Sequence, residues 1–92
     1  MSIIIKIYQN KLINEVLAAS TFQEVKNGIN DTFSALKKQN VADKQVLDLV
    51  EEALKELKSL NQRKLSYDQH ANIISAKLQL QQLQLQMTNV TN

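Results

Sequence analysis

Across 92 residues this chain carries no proline and one glycine, Gly28. Those two residue types punctuate turns and strands, so their scarcity restricts the chain to long helices joined by short polar corners. Leu, Lys, Gln, Glu and Ala, which all favour helix, supply much of the remainder. With only two tyrosines and two phenylalanines, large anchors for a β-sandwich are lacking. The expectation is an all-α fold: a small antiparallel up-down bundle of four helices, forming a single domain over residues 1–92.

Hydrophobic spacing predicts helices over about 4–19, 22–39, 43–60 and 67–88. In the first, Tyr8, Leu12, Ile13, Val16, Leu17 and Ala19 share a broad side, and the isoleucine-rich start is assigned to helix because no second strand could pair with it. In the second, Phe22, Val25, Ile29, Phe33 and Leu36 form a narrow stripe, with Gly28 off it as a tolerated surface glycine. The third is the most clearly amphipathic. Val46, Leu47, Leu49, Val50, Ala53, Leu54, Leu57 and Leu60 occupy under half its circumference, and every charge from Lys44 to Lys58 lies elsewhere. Pairs Lys44–Asp48 and Glu51–Lys55 are spaced to meet on its wet face. Thr21 with Glu24, and Ser66 with Gln69, have the spacing of capping boxes, while Asp43 or Asn40 is placed to cap the third helix.

The last helix departs from this pattern. Its apolar residues fall on two opposite sides. One side holds Tyr67, Ala71, Ile74, Leu78 and Leu85; the other holds Ile73, Ala76, Leu80, Leu83, Met87 and Val90, in the 3-4 spacing of a coiled-coil seam. From Leu78 to Asn92 there is no charged side chain. A helix with two apolar sides needs neighbours on both. Either it lies in the middle of its own bundle, or the first stripe joins the core and the heptad stripe packs on a second protein. Its length, which overhangs shorter neighbours, favours the second arrangement. Ile73, Ala76, Leu80, Leu83 and Met87 are then the expected partner-binding residues, with Lys77 and Gln84 at the rim, and a second copy of the chain is the simplest partner.

Catalytic chemistry finds little to work with. A chain without cysteine has no thiolate nucleophile or thiolate metal site, and His70 is the sole histidine, too few for a His–His pair. Asp48, Glu51, Glu52 and Glu56 cluster beside lysines on a solvated face, and one glycine cannot build a phosphate loop. No enzyme, cofactor or metal site is expected. Eleven basic and nine acidic residues leave a net charge of +2, weak attraction for a polyanion. The alternative reading is a small nucleic-acid-associated regulator whose phosphate contacts are Lys37, Lys38, Arg63 and Lys64, should their two corners meet. No run is long enough to span a bilayer, and Ile3 to Ile7 is too short for a signal peptide core, so a cytoplasmic protein is expected. Length and helix order are similar to small bundles such as bacterial immunity-type proteins and secretion chaperones, a likeness of architecture that carries no residue across. A toxin-neutralising or membrane-surface role is accordingly less favoured than protein–protein interaction.

Overall fold

The computed structural model describes residues 3–60 and 64–89. It contains four helices, α1 (Ile3–Ala18), α2 (Phe22–Lys38), α3 (Asp43–Leu60) and α4 (Tyr67–Asn89), and among the described residues no strand. The bundle is all-α, as the glycine and proline count requires. The isoleucine-rich start is helical, with Ile5 buried and Ile3, Ile4 and Ile7 facing out.

Local chemistry sets the boundaries. The Thr21 hydroxyl accepts from the Glu24 N–H at 3.2 Å, and the Glu24 carboxylate accepts from Ser20 N–H at 3.0 Å, one residue before the cap itself. Ser66 and Gln69 form the complete reciprocal box, each backbone N–H donating to the other's side chain at 3.1 Å. Asn40 does not cap α3. It takes φ 57°, the left-handed conformation, and ends α2 in a Schellman motif: Asn40 N–H donates to Lys37 O and Val41 N–H to Leu36 O. The backbone of Ala42 opens α3, accepting from Gln45 and Val46.

Three observations orient the helices. Gln39 Nε2 donates to Tyr8 Oη at 2.6 Å, which sets the end of α2 against the beginning of α1. Asn72 Nδ2 donates to the Val16 and Ala19 carbonyls, which sets the beginning of α4 against the end of α1. Phe33, Val46 and Met87 line one cavity, gathering the end of α2, the start of α3 and the end of α4 at the same pole. Directions therefore alternate up and down. The packing order is not the chain order, however. Helices α1 and α4 each pack on all three others, whereas α2 and α3, though joined by four residues, barely touch. The inner diagonal is α1–α4.

The core along that diagonal comprises Ile5, Leu12, Ile13 and Val16 of α1, Val25, Ile29 and Leu36 of α2, Leu49, Val50, Ala53, Leu57 and Leu60 of α3, and Ile73, Ala76 and Leu80 of α4. Phe22, expected in the α2 stripe, lies at the helix start and is exposed. Gly28 is not a surface glycine. It is buried where α1 crosses α2, and a Cβ there would lie 2.7 Å from Glu15 Oε2 and 3.4 Å from Glu15 Cβ. On the wet face of α3, Lys55 pairs with Glu52 at 3.5 Å.

A candidate interaction face on the last helix

Both apolar sides of α4 are real, but their roles are the reverse of the sequence expectation. Ile73, Ala76 and Leu80 have 0% exposure and lie in the core of a single chain. Leu83 packs against that core half-buried, and Met87 is half-buried beyond it. Three of the five expected partner contacts are thus unavailable while the bundle stays closed. Val90, expected on the same stripe, lies outside the described residues.

The other stripe faces out. Tyr67 is 86% exposed, Ile74 54%, Leu78 58% and Leu85 61%. Packing explains the choice. The heptad stripe has an unbroken 3-4 spacing, and Ala76 lets neighbouring helices approach closely. The outer row is interrupted by Gln81, which falls on the same meridian, and begins with Tyr67, a residue whose polar tip suits an exposed position. Lys77 and Gln84, expected at the rim, are half-buried along the flank.

Leu83 and Met87 retain a partly open role. Because α2 and α3 do not close on each other, a cavity of about 710 Å³ opens at that pole, lined by Phe33, Val41, Ala42, Val46, Leu83 and Met87 together with Lys37, Asn40 and Asp43. Two thirds of these lining residues are apolar, with the polar three at the α2–α3 corner.

The basic corners do not meet. Lys37 and Lys38 end α2 at the pole where α3 begins, whereas Lys64 follows the end of α3, about 27 Å away along its 18 residues. Arg63 lies outside the described residues. Among the described residues, Lys37 and Lys38 therefore share no end of the bundle with Lys64. Among the described residues, no group of three His, Cys, Asp or Glu side chains could hold a metal ion, and no helix is long and apolar enough to cross a membrane.

The buried polar side chains Asn72, Gln9 and Thr32 escaped the sequence reading. Asn72 is 4% exposed and spans the α1–α4 contact, donating to Val16 O at 3.1 Å and Ala19 O at 2.7 Å. The signal was present as a polar residue at the edge of the heptad meridian, beside Ile73. Gln9 is buried too, with Nε2 donating to Glu56 at 2.9 Å while Oε1 has no partner among the described residues.

No family model, curated protein or solved structure matches this chain.

Proposed function

We propose that this chain is a non-enzymatic protein–protein interaction module that pairs with itself or with a partner helix through the outer face of α4. The observation that carries the reading is the row Tyr67, Ile74, Leu78 and Leu85, each more than half exposed on one meridian of one helix. Burying such side chains is worth about 1.5–3 kcal/mol each when complete, so a partner covering the row recovers several such terms. Single exposed apolar side chains are ordinary on protein surfaces; four large ones aligned along a 23-residue helix are an adhesive strip. The strip takes the place of the heptad residues as the contact surface, and the kind of activity inferred from the sequence stands as the proposal.

The test is solution mass against concentration, by sedimentation or light scattering. Wild type is expected to gain mass as concentration rises, while Leu78→Glu with Leu85→Glu keeps its helical circular dichroism and stays a monomer. Leu80→Glu serves as the contrast, since a charge at a fully buried position is expected to unfold the chain. Self-association that survives the outer-face double variant would sink this choice of face.

A further inference from the structure

The exposed row on α4 has a spacing that reads the same in both directions. Tyr67, Ile74, Leu78 and Leu85 are separated by seven, four and seven residues, and both the outer and the inner pair are centred on residue 76. At 3.6 residues per turn all four fall within about 40° of arc. We infer, building on the interaction reading above, that two copies of this chain pair through antiparallel α4 helices related by a two-fold axis level with Ala76. Tyr67 of each copy then packs on the partner's Leu85, and Ile74 on the partner's Leu78. Ala71 faces the partner's Gln81.

A two-fold interface must be self-complementary, and a palindromic row of large apolar residues meets that condition without any further device. Charge favours the same orientation. The first turn of α4 carries Asp68 and its last turn carries no basic residue. Antiparallel pairing lays each first turn, with its Asp68, beside the partner's charge-free glutamine segment, so the two Asp68 carboxylates stay apart. It also sets the positive end of each helix macrodipole beside the negative end of the other; a parallel pair would align like with like. Four side chains more than half exposed on each of two copies place roughly 1,000 Å² at the contact, near the lower bound for a specific pair. The expected product is a reversible dimer.

A chain without cysteine makes the register directly readable. Ala71→Cys and Gln81→Cys are prepared as separate single variants, their folding checked by circular dichroism, and treated with a short bis-maleimide alone and as an equimolar mixture. In the antiparallel register, residue 71 sits level with the partner's residue 81, and like residues lie about 15 Å apart along the axis. The mixture is therefore expected to give a cross-linked dimer carrying one copy of each variant, and each variant alone little or none. Efficient linking of each variant to itself would overturn this register in favour of parallel pairing while leaving the interaction reading in place. A protein that remains monomeric at every concentration, with no link in any sample, would overturn pairing with a second copy altogether.

Discussion

Asn72 shows what a single buried amide can do in a bundle this small. The last carbonyls of a helix are short of intrahelical donors, and at the end of α1 the Val16 carbonyl, which also accepts from the Ala19 N–H at 3.4 Å, and the Ala19 carbonyl just past the helix both receive the Asn72 amide. One side chain thereby bonds one buried and one part-buried acceptor and fixes where α4 stands along α1. Asn72→Ala is expected to cost about 1–3 kcal/mol, because the acceptors remain wholly or partly buried after the donor has gone. Urea denaturation followed by circular dichroism measures it, and Asn72→Leu should fare no better, since added apolar volume cannot donate. Interactions of this kind are hard to read from a sequence: Asn72 and Val16 are 56 residues apart, and nothing local links them. The Thr21–Glu24 and Ser66–Gln69 boxes were legible because their partners lie three residues away, within one turn. Asn40, offered beside Asp43 as a cap for α3, ends α2 instead: an asparagine in a corner suits a helix's beginning and, in the left-handed conformation, its end.

Between helices, the α1–α2 crossing turns on Gly28. Its burial comes from the close approach of Glu15, whose carboxylate is the nearest obstacle to a Cβ at 2.7 Å. That carboxylate, in a 4.0 Å ion pair with Lys11, is the far end of a flexible, half-buried chain and can swing aside, while the Glu15 Cβ at 3.4 Å already stands at ordinary contact. Alanine gains about 1 kcal/mol of helix propensity over glycine. Gly28→Ala is thus expected to raise the melting temperature by up to about 4–8 °C, whereas Gly28→Leu, which must push α1 away, lowers it; thermal melts of the two variants decide. The periodicity of α2 placed Gly28 off the apolar stripe correctly, but burial followed from a neighbour's crossing rather than from the stripe. The same limit governed α4. Its two apolar sides, and their opposition, were plain in the spacing, but which side turned inward depended on the α1–α4 diagonal. Ala76 and the polar break at Gln81 were the residues that bore on that choice, the first permitting close packing and the second interrupting the row left outside.

For the whole molecule, the up-down order puts the Lys37–Lys38 pair and Lys64 at opposite poles, so these two corners do not combine into one phosphate-binding surface. Association through an apolar strip and association through phosphate contacts respond oppositely to salt, which makes ionic strength the sharpest probe of the assembly. Phosphate binding weakens steeply as salt rises because counterions are no longer released into dilute solution. In the antiparallel pair the strip is flanked near the two-fold axis by Lys77 of both copies, on the same side of the contact. Two such charges roughly 8 Å apart in a water-like medium repel by about 0.5 kcal/mol, and salt screens most of that. Raising salt from about 0.05 to 0.5 M is therefore expected to leave dimerisation intact or tighten it by roughly twofold, against losses of orders of magnitude for a polyanion complex. Lys77→Gln should reproduce that twofold tightening at low salt and abolish the salt dependence, because it removes the repulsion itself. Sedimentation equilibrium at the two salt concentrations, on wild type and Lys77→Gln, reads both effects. Dissociation on adding salt would mean that charge, rather than the row from Tyr67 to Leu85, holds the copies together.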